Sequence, residues 1–228
     1  MFTLIIGNKN YSSWSLRPWL LLRQLDIPFT ERLEPFIPHG SHDAFRAFSP
    51  TGRVPLLVDG DTKVWDSLAI VEYVAESHPQ VWPEDKAARA FARAISAEMH
   101  AGFATLRNAC GMNCGLRITL SATSPALQAD LARIDEIWSE GLARFGGPFL
   151  TGAAFTAADA FYAPVALRLQ TYGLTLSAPA NAYAAHLLAL PAMQDWYSAA
   201  LTETWREPSH EAEVAAAGTI TRDLRRTA

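Results

Sequence analysis

The spacing of hydrophobic and polar residues changes repeatedly along the first 78 residues. The segment FTLII is an apolar run of strand length, whereas Leu16, Trp19 and Leu20 recur at helical spacing. The next four segments, PFTERL, GSHDAFRAFSP, VPLLVDGDTKVWD and DSLAIVEYVAESH, predict in turn a strand, a short helix, two strands joined by an Asp-Gly turn, and a helix. Asp66 or Ser67 is placed to cap that last helix. The predicted order of elements is therefore β-α-β-α-β-β-α.

The pattern becomes purely helical after a short polar segment. Residues 79–86 read PQVWPEDK, and such a polar stretch with prolines is typical of a linker. Ala-rich segments with helical periodicity follow, at 86–120, 125–144, 156–172, 182–189 and 191–203. Thr156 and Asp159 predict an acidic capping box, so we interpret Asp159 as structural. The sequence thus predicts an α/β domain at 1–78, a linker at 79–86 and an all-helical domain at 87–228.

Composition narrows the possible function classes. The formal net charge is -4 and the charges are mixed along the chain, which argues against the basic face that nucleic-acid binding needs. The C-terminal arginines Arg222, Arg225 and Arg226 are predicted to form a frayed, solvated end. The start of the chain lacks the features of a signal peptide, and no run is apolar enough to span a membrane. We therefore expect a soluble cytoplasmic protein.

The cysteines and the paired histidines do not indicate a metal site. Cys110 and Cys114 are four residues apart in CGMNCG, which fits neither a CxxC redox pair nor a completed zinc spacing. We interpret them as small residues on one face of a helix. His39 and His42 have no suitably spaced further ligand and are predicted to lie in a surface loop. No metal is expected.

Three serines crowd the junction between the first predicted strand and helix, in the segment YSSWSLR. A nucleophilic serine would favour the G-x-S-x-G elbow, which this segment does not match. A hydroxyl at a helix N-terminus can instead donate a hydrogen bond to a ligand anion, because exposed N–H groups and the helix dipole favour negative charge there. Capping alone remains the better interpretation for Ser15.

Three motifs together resemble the glutathione S-transferase family over nearly the whole chain. SPTGRVPLLVDG precedes WDSLAIVEYV, and FTAADAFYAP follows in the helical part. The segment SSWSLR is closest to the zeta-like pattern SSCSWR, with Trp14 in place of the cysteine. The resemblance implies a thioredoxin-like first domain that binds glutathione, an all-helical domain that binds the second substrate, a homodimer, and a role in detoxification.

The resemblance also assigns contacts to glutathione. Val54 and Pro55 match the family's Val-cis-Pro, where the residue before proline pairs with the cysteinyl backbone of glutathione. Arg53 falls where relatives often contact the glycyl part, and His39 or His42 could reach that carboxylate.

The start of the third helix is assigned to the other end of the tripeptide. Asp66 and Ser67 match the family's acidic residue followed by Ser, which takes the γ-glutamyl end. This role agrees with the preference of a helix N-terminus for a carboxylate. Arg17 is expected to organise the domain, for example by pairing with Glu72 or Asp66, and not to contact substrate.

The activating hydroxyl is assigned to the serine segment. Ser12 lies five residues before Arg17, the position of the activating group in zeta, tau and omega-like classes, and is favoured. Ser13 lies where theta-like enzymes keep theirs. Tyr11 is the third candidate, because the larger animal classes use a tyrosine near this point.

The electrophile is expected between the two domains. Residues that recur at roughly helical spacing in the first long helix of the second domain could form one wall: Met99, Phe103, Arg107 and Met112. Tyr11 and Trp14 could form the opposite wall. Arg107 or Arg117 in this pocket would favour acidic substrates.

The resulting functional prediction is a glutathione transferase whose bound thiolate attacks an electrophilic carbon or reduces a peroxide or disulfide. The alternatives are a non-enzymatic binding protein of the same fold and a zeta-like glutathione-dependent isomerase. A thioredoxin-like thiol oxidoreductase would need a cysteine at the start of the first helix, where Ser12 or Trp14 stands.

Overall fold

The computed structural model describes residues 1–225 of the chain. The helices and strands, in chain order, are β1 (Phe2–Ile6), α1 (Ser13–Gln24), β2 (Phe29–Leu33), α2 (Ser41–Phe45), β3 (Leu56–Asp59), β4 (Thr62–Val64), α3 (Ser67–Ala75), α4 (Lys86–Ala101), α5 (Ala104–Ala109), β5 (Leu116–Leu120), α6 (Pro125–Phe145), α7 (Ala157–Tyr172), α8 (Ala178–Ala189), α9 (Pro191–Thr202), α10 (Pro208–Ala217) and β6 (Gly218–Asp223). The predicted order of the first seven elements is confirmed.

The first unit is a mixed four-stranded sheet with the strand order β2-β1-β3-β4. Strand β1 runs parallel to β2 and antiparallel to β3, and β3 pairs antiparallel with β4. Leu4 and Ile6 of β1 are fully buried, as are Leu16 and Leu20 of α1. Alternate residues of a strand point to the same side of a sheet, so one side of β1 joins the core that α1 completes.

Helix α7 is the centre of the helical part. All but one of its residues are buried, and α1, α4, α8 and β5 pack against it. Its many alanines suit this position, because small side chains let neighbouring elements approach closely. The α/β unit therefore contacts the helical part mainly through α1.

The predicted helix 86–120 is wrong in its second half. Helix α4 ends where the N–H of Gly102 donates to the Glu98 carbonyl (2.7 Å), and Phe103 has a positive φ of 56°. The short helix α5 follows, and β5 then pairs antiparallel with β6. The second part is helical, as predicted, but it also contains this two-stranded sheet. Local periodicity missed it because the partner strand lies about a hundred residues further along the chain, and strand formation depends strongly on such partners.

The two cysteines do not share a helix face. Cys110 caps the end of α5 and Cys114 lies in the loop before β5. Both are free and buried, and burial raises the pKa of Cys110 to about 11 and that of Cys114 to about 12. Both thiols are therefore protonated at neutral pH.

The predicted frayed tail is ordered up to residue 225. Arg222 pairs with Arg117 in the β5–β6 sheet, and the Arg225 guanidinium donates to Asp223 (2.9 and 2.7 Å) and to Glu211. The bond to Glu211 attaches the C-terminal segment to α10, and the strand pairing attaches it to β5. Arg226 lies outside the described residues.

The capping box at the start of α7 is confirmed and belongs to a larger buried network. The Asp159 carboxylate accepts hydrogen bonds from the N–H of Leu150 (3.0 Å), the N–H of Thr156 (2.9 Å) and the hydroxyl of Tyr183 (2.9 Å). Burial raises the pKa of Asp159, and the backbone hydrogen bonds oppose this rise. One carboxylate thus fixes the start of the central helix, the preceding turn and α8.

We expect Asp159→Ala to lower the free energy of unfolding by about 3 kcal/mol or more, because several buried donors lose their acceptor. Tyr183→Phe removes one donor and should cost about 1 kcal/mol. Urea unfolding of both variants measures the difference. Equal losses would contradict the role of Asp159 as the centre of the network.

Candidate functional site

Ser12 is the N-cap of α1, and its hydroxyl is engaged within the cap. Its Oγ accepts from the N–H of Ser15 (3.4 Å) and its hydroxyl donates to Ser15 Oγ (2.7 Å). Ser15 Oγ also accepts from the N–H of Gly7 (3.1 Å), which ties the start of the helix to the end of β1. The Ser12 proton is therefore committed inside the protein.

Ser13 is the first residue of α1 and has a different partner. Its Oγ accepts from Nη2 of Arg168, a residue of α7, at 3.4 Å. Within residues 1–225 its hydroxyl donates to no acceptor. The side chain is buried, with 7% of its surface exposed. Of the two serines, Ser13 thus has the hydroxyl proton without an acceptor among the described residues.

Tyr11 is held by the C-terminal segment. Its hydroxyl donates to Oε1 of Glu211 (2.6 Å), and its ring stacks on that of His210 at a centroid distance of 5.0 Å. Burial and then the Glu211 contact raise the pKa of Tyr11 to about 12. The structure therefore gives this hydroxyl an internal partner instead of a free proton.

Arg17 does not pair with Glu72 or Asp66 as predicted. Its guanidinium carbon lies 4.2 Å from the ring centroid of Trp14 and 5.0 Å from that of Phe161. Nε and Nη1 of Arg17 are buried without a hydrogen-bond partner among the described residues. Both predicted carboxylate partners of Arg17 are engaged elsewhere, because Glu72 pairs with Arg93 and Asp66 pairs with His100.

Burial, followed by repulsion from Arg168 and Arg107, lowers the pKa of Arg17 to about 9. The group nevertheless remains charged at neutral pH. A buried cation without a carboxylate partner therefore lies behind the first turn of α1.

A cavity of about 490 Å³, the site cavity, lies beside the first turn of α1. Its lining residues come from the first turn of α1, the loop before β3 and the start of α3: Trp14, Thr51, Arg53, Val54, Pro55, Trp65, Asp66 and Ser67. The Val54–Pro55 peptide is cis, which confirms the prediction. The structure thus brings together five predicted glutathione contacts, Arg53, Val54, Pro55, Asp66 and Ser67, with Trp14 of the predicted substrate wall.

The start of α3 presents two different polar side chains to the site cavity. Asp66 caps the helix by accepting from the N–H of Leu68 (3.1 Å), and its other oxygen lies 3.2 Å from Nε2 of His100. Burial lowers the pKa of His100, and the Asp66 charge opposes this effect. Ser67 Oγ is buried and has no partner in the described part of the chain. Ser67 is therefore not the residue that caps α3.

A second cavity, of about 510 Å³, adjoins the first through Arg53 and Val54. His39 and His42 line it from the segment around α2, and His210 lines it from α10. Both predicted histidines are exposed, but His42 lies in α2 instead of a loop. The two histidines are therefore adjacent to the site cavity without lining it.

The predicted substrate wall is only partly formed. Met99, Phe103 and Met112 expose 2%, 7% and 4% of their surfaces and belong to the hydrophobic core. Arg107 is half-buried, with its guanidinium carbon 5.4 Å from the Trp14 ring centroid. Helical spacing alone did not distinguish the core-facing residues from the site-facing one.

Arg117 and Arg107 make different contacts. Arg117 donates to the hydroxyl of Tyr197 (3.0 Å) and to backbone carbonyls. Arg107 donates to the carbonyls of Met99 (3.2 Å) and His100 (3.3 Å). Of these two arginines, only Arg107 lies against the ring of Trp14, which lines the site cavity.

Sequence reasoning missed Trp65, His100 and Arg168. Trp65 lines the site cavity beside Asp66, and its position before the Asp-Ser pair could have indicated this. His100 and Arg168 reach the site from distant helices, and no local pattern marks them. Glu203 was also missed: its carboxylate accepts from the N–H groups of Lys9 (2.7 Å) and Asn10 (3.1 Å) in the turn before Ser12.

Residues 1–225 contain no cluster of three or more His, Cys, Asp or Glu side chains arranged to hold a metal ion. Among the helices of the same residues, none has the length and apolar character needed to cross a membrane.

Two family models match the chain. Residues 11–77 match the glutathione S-transferase N-terminal domain, and residues 118–199 match the glutathione S-transferase C-terminal domain. The first match contains the serine segment, the cis-proline loop and the start of α3. The second contains the capping box and α7.

Similar curated proteins carry related names. Glutathione S-transferase GstB of Escherichia coli (strain K12) is 31% identical over 209 residues, covering 85% of this chain and 91% of that protein. Human glutathione S-transferase theta-1 is 28% identical over 172 residues, covering 68% and 70% of the two chains. A probable maleylacetoacetate isomerase of Caenorhabditis elegans is 33% identical over 102 residues, but the match spans 44% of this chain and only 47% of that protein.

Solved structures share the fold at lower identity. A glutathione transferase homologue from Burkholderia gl BGR1, solved with bound glutathione, has a TM-score of 0.66 at 22% identity, covering 87% of this chain and 97% of that one. A theta class glutathione S-transferase from Xanthomonas axonopodis pv. citri, also with glutathione bound, has a TM-score of 0.62 at 23% identity, covering 86% and 96%.

The different contacts of Asp66 and Ser67 predict different stability effects. Asp66→Ala removes the cap of α3 and should lower the free energy of unfolding by about 1 kcal/mol. Ser67→Ala removes a hydroxyl without a protein partner and should change stability by no more than about 0.5 kcal/mol. Urea unfolding of both variants makes the comparison. A loss for Ser67→Ala as large as that for Asp66→Ala would assign Ser67 a structural role.

Proposed function

Because the chain belongs to the glutathione S-transferase family, we propose that it binds glutathione in the site cavity and activates the thiol as a thiolate. The thiolate sulfur then attacks an electrophilic carbon of a second substrate. A new carbon–sulfur bond forms, and a leaving group departs with the electron pair of its bond to that carbon.

The observation that carries this proposal is the unpartnered Ser67 hydroxyl at the start of α3. A buried hydroxyl without a partner costs free energy, so a ligand that supplies one is favoured. The N-terminus of a helix also favours a carboxylate. We therefore assign the γ-glutamyl carboxylate of glutathione to Ser67, with Asp66 and its partner His100 beside it.

The remaining peptide groups follow the loop before β3. The Val54 backbone is assigned to the cysteinyl backbone of glutathione, next to the cis Pro55. Arg53 is assigned to the glycyl carboxylate because it lines both cavities. His39 and His42 face the adjoining cavity and could approach the same carboxylate only from that side.

The first turn of α1 can supply the free energy that thiol activation needs. A free thiol has a pKa of about 8.5, and lowering it by about two units requires about 2.7 kcal/mol. One hydrogen bond to a charged group contributes about 1.5–3 kcal/mol, and a helix N-terminus adds up to about 1 kcal/mol. We propose Ser13 as the donor, because its proton is free whereas those of Ser12 and Tyr11 have internal acceptors.

The wall on the other side of the thiolate is Trp14, with Arg107 against its ring. This wall supports an electrophile with an aromatic part that contacts Trp14. The half-buried Arg107 guanidinium favours an anionic substituent on that electrophile.

We expect Ser13→Ala to raise the pKa of the bound glutathione thiol by about one to two units, because the thiolate loses its hydroxyl donor. The acid limb of the rate profile should move to higher pH by the same amount, since activity is lost as pH falls through the thiol pKa. Thiolate ultraviolet absorbance, followed against pH in the glutathione complex, measures the shift. Tyr11→Phe should leave the thiol pKa unchanged.

The comparison variant is Ser12→Ala, which removes the helix cap. If Ser12→Ala shifts the thiol pKa more than Ser13→Ala does, the donor is Ser12. If wild type does not bind glutathione by calorimetry, the transferase proposal fails and a non-enzymatic binding protein is favoured.

Arg107 is expected to favour electrophiles that carry a carboxylate. A chloronitrobenzoate and its neutral methyl ester differ by one charge, so the ratio of their kcat/KM values reports recognition of the carboxylate. We expect Arg107→Met to reduce this ratio about tenfold, which corresponds to about 1.4 kcal/mol. Arg117→Met is the matched control, since Arg117 contacts Tyr197 instead of Trp14. Equal ratios in wild type and both variants would contradict a role for Arg107 in selectivity.

A further inference from the structure

Arg168 connects the centre of the helical part to the first turn of α1. It is buried in α7, with 5% of its surface exposed, and its guanidinium donates to the carbonyls of Cys110 (2.8 Å) and Pro164 (3.4 Å). Its third hydrogen bond goes from Nη2 to Ser13 Oγ (3.4 Å). Two of the three acceptors of Arg168 in the described residues are backbone carbonyls, and the third is the side chain of Ser13.

The Arg168 guanidinium keeps its charge in this position. Burial lowers the pKa of Arg168 to about 10, which still leaves the group protonated at neutral pH. No carboxylate in residues 1–225 forms an ion pair with it. Hydrogen bonds from a charged donor are stronger than those between neutral groups, and Ser13 Oγ accepts from such a cationic donor.

A hydroxyl that accepts a hydrogen bond from a cation becomes a better donor, because hydrogen bonds in a chain polarise one another. Arg168 also occupies the acceptor side of Ser13 Oγ. The hydroxyl proton is therefore directed away from α7.

We propose that Arg168 is a positioning residue for thiol activation, which orients and polarises the Ser13 hydroxyl so that it donates to the glutathione thiolate. This inference rests on the proposed function. It adds a residue of the second domain to the thiol-activation step, which otherwise uses only the first turn of α1. The proton of the thiol leaves to solvent, and the Ser13 proton remains on Ser13.

Two neighbours of Arg168 on α7 provide matched controls. The Thr171 hydroxyl donates to the carbonyl of Asn113 (2.7 Å), and the Tyr172 hydroxyl donates to that of Gly111 (2.8 Å). Both bonds attach α7 to the loop that follows α5, as the Arg168–Cys110 bond does. Neither hydroxyl forms a hydrogen bond with Ser13 in the described residues, so loss of either bond reports the structural effect.

The test is a double-mutant cycle read by the pKa of the glutathione thiol in the complex. Arg168→Met should raise this pKa by about one unit, a tenfold loss of thiolate below the pKa. In the Ser13→Ala background the same change should have no further effect. Thr171→Val should leave the thiol pKa at the wild-type value. Affinity for S-methylglutathione, which has no thiol, should be equal in all variants.

A rise that persists in the Ser13→Ala background would overturn the proposal, because Arg168 would then act on the thiolate directly. An Arg168→Met value no higher than that of Thr171→Val would also overturn it. If Arg168→Met does not fold, Arg168→Lys replaces it in the test, because lysine keeps the charge but not the fork geometry of the guanidinium. The pKa of the glutathione thiol bound to Arg168→Lys must then also rise. Glutathione binding by wild type distinguishes the two proposals. If wild type binds no glutathione, the proposed function fails. If wild type shows a depressed thiol pKa that Arg168 variants do not change, only the inference about Arg168 fails.

Discussion

The contact between the first turn of α1 and helix α7 is the constraint on which the site depends. Arg17 of α1 lies against Phe161 of α7, and Arg168 of α7 reaches back to Ser13. The alanines of α7 allow this close approach, and the Asp159 network fixes where α7 begins. A displacement of α7 would therefore move the groups that surround Ser13, although α7 itself does not line the site cavity.

The C-terminal segment also holds the turn that precedes α1. Glu203 accepts from two consecutive backbone N–H groups of this turn, and Glu211 accepts from Tyr11. Asn10 Oδ1 in turn accepts from the N–H of Cys114 (3.0 Å). Segments from three distant parts of the chain thus set the position of the serines, so the α/β unit does not determine the site geometry alone.

This arrangement explains what the sequence could predict. The order of the first seven elements, a cap at Asp66 or Ser67 and the capping box at Thr156 depend on neighbouring residues, and local patterns predicted them. The cis bond before Pro55 was implied by the family resemblance. The Arg168–Ser13 bond joins residues 155 positions apart, and the β5–β6 pairing likewise joins distant segments. Position in a motif favoured Ser12 over Ser13, but the hydrogen bonds that distinguish the two hydroxyls depend on this tertiary partner. Met99, Phe103 and Met112 show the same limit, since helical spacing cannot tell which face is covered.

The buried guanidiniums of Arg17 and Arg168 affect both the stability of the protein and the environment of the proposed thiolate. Transferring an unpaired charge into a protein interior costs several kcal/mol, so buried charges are normally paired. Arg17 and Arg168 nevertheless remain cationic at neutral pH without a carboxylate in contact. The hydrogen bonds of Arg168 to Cys110, Pro164 and Ser13 offset part of that cost. In the proposed mechanism a thiolate accepts the Ser13 hydrogen bond more strongly than a neutral thiol does, so the Arg168 charge favours the thiolate through Ser13. Only an interaction that distinguishes these two forms can lower the thiol pKa.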